Sequence, residues 1–316
     1  MESVRSANFL QVDNEIRRIL AEKGVIVLSS REAYKEFTWT RDYFEHKPED
    51  GYFIWIKKPI NHPLTTCIAI SSPKVSQNPR NLVVIERNVE AEINSVCNAV
   101  KKNLCGSHVG RSKVVLKENS GLKIRHFHKW GGGDVVGSSI EFSLGKRARL
   151  FHTYRCLAVP EKLETENKTF LASYSSANFE MAVLAKDGHV DIHDSTFLNG
   201  EKSSGISRLR MIADENSTIL AHSKMVANAV GTGHLDCMGL LLAEESSINA
   251  VPELLNKNKD AMLTHEASVG KISEEVLNYL RSRGLTEDEA IDLIVAGFLS
   301  GEAPFTHEGR VLPSKT

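Results

Sequence analysis

Gly188-His189-Val190-Asp191-Ile192, Ser217-Thr218-Ile219-Leu220-Ala221 and Ser246-Ser247-Ile248-Asn249-Ala250 decide the fold. Each places a polar turn before an apolar–polar–apolar alternation, the mark of a strand with one buried face. The same phrase occurs upstream as Asn88-Val89-Glu90-Ala91-Glu92-Ile93, Gly121-Leu122-Lys123-Ile124 and Lys146-Arg147-Ala148-Arg149-Leu150. The first apolar positions, Ala91, Leu122, Ala148, Val190, Ile219 and Ile248, recur at nearly even spacing, apart from one long interval between Ala148 and Val190. A near-constant period, roughly 30 residues, predicts the stacked coils of a solenoid, each burying its apolar side against the next, with an evenly spaced β-sandwich as the competing arrangement. The long interval contains the charged run Val159–Lys168, which reads as a loop inserted into one coil. Glu90–Lys102 has the Ala, Glu and Lys content of a helix, but Ala91 and Ile93 fall in the repeat phase and predict a strand.

Working outward, β-branched runs such as Asn81-Leu82-Val83-Val84-Ile85 and Ser112-Lys113-Val114-Val115-Leu116 extend this texture from about Tyr52 to Val269. The fold expected is mainly β, a right-handed parallel β-helix over residues 51–271. A small α/β cap is expected over 1–50: a helix near Val12–Lys23, a strand Gly24–Leu28, and a second helix opened by Ser29-Ser30-Arg31-Glu32. Residues 272–316 read as a helical region. Ser273–Arg283 carries Val276, Leu277 and Leu280 on one face with Gly284 as the stop, and Thr286-Glu287-Asp288-Glu289 is a capping box for a second helix. The tail from Ala303 reads as frayed.

Thirty-nine Lys+Arg against 40 Asp+Glu leave a net charge of -1, so no global basic field exists to gather nucleic acid or anionic membrane. The N-terminus lacks the apolar core of a secretory signal and no stretch approaches a membrane span, which predicts a cytoplasmic protein. Five cysteines, Cys67, Cys97, Cys105, Cys156 and Cys237, are odd in number and include no CxxC pair, so they read as thiols. No phosphate loop occurs; Gly131-Gly132-Gly133 is a glycine run with no helix behind it.

Candidate ligands are scattered. His126 and His128 lie at i, i+2 on one strand face, and without a third partner a packed or solvated strand edge is the commoner reading. His189 and His193, with Asp191 and Asp194, take the same discount. Shifting Gly233–Leu240 back by 29 lays Cys237 over Arg208, Met238 over Leu209 and Leu240 over Met211, which predicts an outward thiol and inward Met238 and Leu240. Thr264-His265-Glu266-Ala267 adds an imidazole and a carboxylate about one repeat further on. Thiolate, imidazole and carboxylate together suit a soft transition metal.

The ordered string Asp236-Cys237-Met238, Ile248–Leu254, Thr264–Ile272, Leu280–Leu285 and Ala290–Leu299 resembles the C-terminal half of the SufB and SufD proteins of the Suf iron–sulfur system, and His108 through His128-Lys129-Trp130 resembles the start of the same β-helix. The resemblance implies a scaffold, not an enzyme, on which a transient iron–sulfur cluster is built from iron and sulfur. It implies a homodimer holding the nascent cluster at its joint with Cys237, His265 and Glu266. It further implies a SufC-type ATPase docked on the C-terminal helices and a sulfur donor protein, with Cys156 as the nearest counterpart of the sulfur acceptor. The chain lacks the cysteine-rich N-terminal motif of that family. The readings that compete are a β-helix enzyme acting on polysaccharide and a purely structural solenoid.

Overall fold

Phe9 and Gln11 are buried on one side of the first strand, β1 (Phe9–Val12), which turns at Asp13 into the antiparallel β2 (Glu15–Ile19). A hairpin therefore stands where the sequence predicts a helix over Val12–Lys23. Local propensity yields here to a parallel pairing of β1 with β5 (Leu64–Ile70), which seals Phe9 into the core. The Asp13 carboxylate fixes the turn by accepting from the backbone N–H and hydroxyl of Ser71 at 2.7 and 2.8 Å. The computed structural model describes residues 8–44 and 46–300; the tail from Ala303 lies outside them.

As expected, β3 (Val25–Ser29) leads into a helix, α1 (Ser30–Glu36), through a capping box of Ser29 and Glu32. It pairs antiparallel with β4 (Tyr52–Ile56), and the coils begin there. β6 (Ser76–Gln77) and β7 (Arg80–Ile85) follow. Next come β8 (Glu90–Ala99), β9 (Ser107–Leu116), β10 (Gly121–Lys129), β11 (Val135–Leu144), β12 (Arg149–Cys156) and β13 (Lys162–Leu171). β14 (Ser176–Ala185), β15 (His189–Leu198), β16 (Ser203–Ala213), β17 (Thr218–Ala227), β18 (Gly231–Leu241), β19 (Ser247–Asn256) and β20 (Met262–Lys271) complete a solenoid of about eight turns. From β8 on, even-numbered strands stack in one parallel sheet and odd-numbered strands in a second, so each coil gives one strand to each sheet.

The register explains the repeat and corrects one reading of it. Ala91, Leu122 and Leu150 are neighbours in the first sheet, and Leu163, Val190, Ile219 and Ile248 in the second. The long interval between Ala148 and Val190 is a step between sheets, not an insertion. The charged run within it becomes β13, whose Leu163, Thr165, Asn167, Thr169 and Leu171 face inward while Glu166 and Lys168 pair on the surface. Glu90–Ala99 is a strand, as the repeat phase predicts. Corners leading into the first sheet share one device. Asn119, Tyr174 and Lys202 take positive φ, and the serine that follows each bonds back to the carbonyl three residues earlier.

Two helices follow β20, α2 (Glu274–Ser282) and α3 (Glu287–Ser300), with Gly284 at φ 97 between them. Thr286 and Glu289 form the expected capping box at 2.8 to 3.3 Å. Leu277, Leu280, Ala290 and Ile294 pack against Ala182, Ile212 and Leu240 on the outer face of the first sheet. The buried leucines and isoleucines of this cluster are worth on the order of 1.5–3 kcal/mol each, and this holds the pair to the sheet.

Candidate functional site

The last three strands carry the candidate site. In β18, Leu235, Cys237 and Gly239 point into the solenoid, and Asp236, Met238 and Leu240 point out. The offset between β16 and β18 is 28, not 29: Cys237 pairs with Leu209, and Asp236 with Arg208. A slip of one residue reverses every side chain. Cys237 is therefore an inward thiol, 1% exposed, and Met238 and Leu240 lie outside, Leu240 buried beneath the helices. Ile192, Ile219, Leu209 and Met211 are buried as expected, and Arg208 and Arg210 point outward. Ile248, near the open end, is half-buried.

The Cys237 thiol donates to the Ser223 hydroxyl at 3.5 Å. Burial pushes its pKa up, the Ser223 bond and Arg210 draw it down, and the negative charges of Asp194 and Asp236 add to the rise. Asp236, on the reverse face, is clasped by the two terminal nitrogens of Arg210, one at 2.9 Å and the other at 2.7 Å. This bidentate pair is almost shut from water. β20 runs beside β18 as the edge of the sheet, and all its residues except Leu263 are exposed. His265 pairs with Leu235 and so shares the inner face with Cys237; Ala267 sits directly beside the thiol; Glu266 pairs with Asp236 and takes the outer face. Cys237 and His265 are thus brought to one side and Glu266 to the other.

Cys156 is fully buried inside the first sheet, its pKa pushed up to about 12 by burial. It lies in register with His128 and, one strand further, Cys97. Among the described residues only Cys105 is an exposed thiol. His126 and His128 are not at a strand edge. Both face the interior, where neighbouring coils add His152 and His108; His126 and His152 share a hydrogen bond of 2.9 Å, His128 one of 3.0 Å with the Tyr154 hydroxyl, and His108 one of 2.9 Å with Gln77. Among the described residues no group of three or more His, Cys, Asp or Glu side chains has metal-binding geometry.

A family model described as the SufBD core domain of the SUF system for FeS cluster assembly matches residues 68–298, well over half of the chain. The chain belongs to the SufBD family. Relatives named iron-sulfur cluster assembly SufBD family protein occur in Methanothermobacter thermautotrophicus, 29% identical with 95% of this chain and 79% of that protein covered, and in Archaeoglobus fulgidus, 29% identical with 95% and 86% covered. A cyanobacterial relative from Synechocystis is 24% identical, with 92% of this chain and 66% of that protein covered. Membership of the SufBD family brings with it a role in iron–sulfur cluster assembly. No helix among the described residues is long and apolar enough to cross a membrane.

One neighbour of Cys237 escapes sequence reasoning. Asp194 is buried on the inner face of the second sheet beside Ser223, accepts from the Ser207 hydroxyl at 2.6 Å, and has its pKa raised to about 7 by burial. The signal is present in the sequence: in Val190, Ile192, Asp194, Thr196 an acid occupies the inward phase of an apolar alternation. Grouping it with surface His189 and Asp191, which pair at 3.2 Å, hides the difference.

Proposed function

We propose that this protein is a scaffold subunit that builds an iron–sulfur cluster, its cargo, at the joint between two copies of its last coil, with Cys237, His265 and Glu266 as the residues concerned. The observation that carries this reading is the uncovered end of the solenoid. Cys237 lies one strand from an edge that has no further strand among the described residues, and His265 stands on that edge facing the same side. A second copy laid edge to edge would shelter both and place two sets together in an isologous pair. Glu266, on the opposite face, serves such a site from the partner or after a twist at β20.

Thiol and imidazole are suitable ligands for iron–sulfur intermediates once the thiol ionises, and burial holds the Cys237 proton on until the end of the solenoid opens. A partner ATPase of the SufC type, docked on α2 and α3, supplies that opening. Those helices grip Ile212 and Leu240, on the strand that carries Cys237 and its neighbour, so a pull on them is a pull on the site. Sulfur arrives from a donor protein. For Cys156 to be its acceptor, the same opening must expose a thiol that is otherwise inert.

The test is anaerobic reconstitution with ferrous iron and sulfide. Wild type is expected to develop cluster absorbance and Cys237→Ala to lose it while keeping its circular dichroism; His265→Ala should weaken it. Equal cluster formation by Cys237→Ala and wild type would reduce the chain to a structural solenoid.

A further inference from the structure

Outside that site, a groove of about 1080 Å³ lies on the outer side of the first sheet. Cys67, Val96, Lys129, Leu157 and Leu184, which line it, belong to or directly follow β5, β8, β10, β12 and β14. Five neighbouring strands at ~4.8 Å each make it about 19 Å long. Its volume lies at the upper end of the ~300–1,000 Å³ of small-molecule sites, and its extension across five strands suits an elongated occupant.

Its floor is apolar, and partly bare. Val100 is 53% and Leu157 46% exposed, and Val96 and Leu184 lie half-buried between them. Its rim carries Lys101, Lys102, Lys129 and Lys186, all exposed. The lysine salt bridges among the described residues are at Lys117, Lys162, Lys168, Lys224 and Lys271, so none of these four is bridged; Lys186 alone feels a carboxylate, that of Glu215. Against the four ammonium groups the lining offers only Glu161 and Asp187, a local balance of +2 in a chain whose total is -1.

We infer that this groove docks an acidic segment of a partner protein, lying extended across the strands with alternate apolar side chains on Leu157 and Val100 and its carboxylates on the lysines. A length of about 19 Å accommodates roughly six extended residues at ~3.3 Å each. The charge selects an acidic partner and the apolar floor gives it grip, since a lysine rim alone confers little affinity. Single-stranded nucleic acid is the poorer fit. It needs aromatic faces for its bases, and the one indole lining the groove, Trp130, is turned into the core. The inference is independent of the cluster-assembly reading, because the groove shares no residue with Cys237, His265 or Glu266.

The experiment uses the full chain and a short fluorescein-labelled peptide alternating glutamate with leucine, followed by anisotropy. Saturable binding is expected, weakened about tenfold or more, ~1.4 kcal/mol, by Lys101→Glu with Lys129→Glu and separately by Leu157→Glu. Lys146→Glu, on an exposed corner away from the groove, should bind as wild type. All these sites are exposed, so the variants should fold, which circular dichroism checks. The proposal is overturned by absence of binding or by equal binding of an all-glutamate peptide. It is equally overturned by displacement with inorganic tripolyphosphate, which would mark a small-anion site. Sedimentation showing that the groove variants break a dimer would instead assign the groove to a second copy.

Discussion

Four neutral imidazoles sealed inside the solenoid, three on the first sheet and His108 on the second, give this protein a stability that depends on pH. Burial lowers the pKa of His108 and His126 to about 4 from the ordinary 6.5, and burial with the neighbouring rings holds those of His128 and His152 well below 6.5. Above 6.5 both states are neutral and the full stability is present; as the pH falls from there toward 4, the unfolded chain takes up protons that the folded one refuses, and stability is lost. Asp194 works the other way across its own window, because its raised pKa makes the folded state the better proton binder between about 7 and 3.8. Four groups outweigh one, so the melting temperature should fall steadily between pH 6.5 and 4. His152→Phe, set between Phe142 and Phe179, should flatten that slope, and an unchanged slope would show that the buried rings are not its source. The Asp236–Arg210 pair makes a second residue-scale case. Arg210→Ala strands a desolvated carboxylate and should cost on the order of 3 kcal/mol in urea denaturation. None of these partnerships is legible in the sequence. His126 and His128 are visible as a pair, but their partners come from neighbouring coils, and a register off by one residue turns Cys237 from inside to outside.

Among the elements, the terminal helices are the easiest to foresee, because a capping box, a glycine stop and an apolar stripe are all local signals. The first hairpin is hidden for the converse reason: β1 is held by β5, more than fifty residues away, and nothing within Val12–Lys23 announces it. On α2 and α3 the stripe is used up against Ile212 and Leu240, while Tyr279, 40% exposed, and Leu293, 50% exposed, remain on the free side. If the pair docks an ATPase, Tyr279→Glu with Leu293→Glu should abolish co-elution with that subunit and leave the melting temperature unchanged. Leu277, by contrast, is buried against the sheet. Leu277→Asp should therefore destabilise the chain, by about 2–4 kcal/mol. Retained binding by the surface variant would remove the helices from the interface. The same division tells against simply deleting residues after Lys271, since that deletion would bare Ile212 and Leu240 and confuse loss of fold with loss of partner.

For the molecule as a whole, the coil period between paired positions, roughly 30 residues, is readable because each corner repeats its polar turn, and the solenoid follows from it. What the period cannot say is which of two sheets a strand enters, hence the misread interval before Val190. At the scale of assembly, pairing through β20 should make the free chain a dimer in sedimentation, and Met262→Lys with Val269→Lys should return it to a monomer without altering its fold. A wild-type chain that sediments as a monomer at all concentrations would dismiss the shared site. The two ends of the solenoid are unlike. At the first, the outermost strands are β2, whose exposed Glu15 and Arg17 pair with each other, and β3, held on its inner side by the antiparallel β4; at the other, among the described residues, β19 and β20 end the two sheets with no further strand. If only the end formed by β19 and β20 accepts a second copy, the particle has a valence of one. A rod with adhesive at both tips would grow without limit into fibres, whereas a rod with one adhesive tip is satisfied by a single mate and can bring its chemistry to an edge without risking polymerisation.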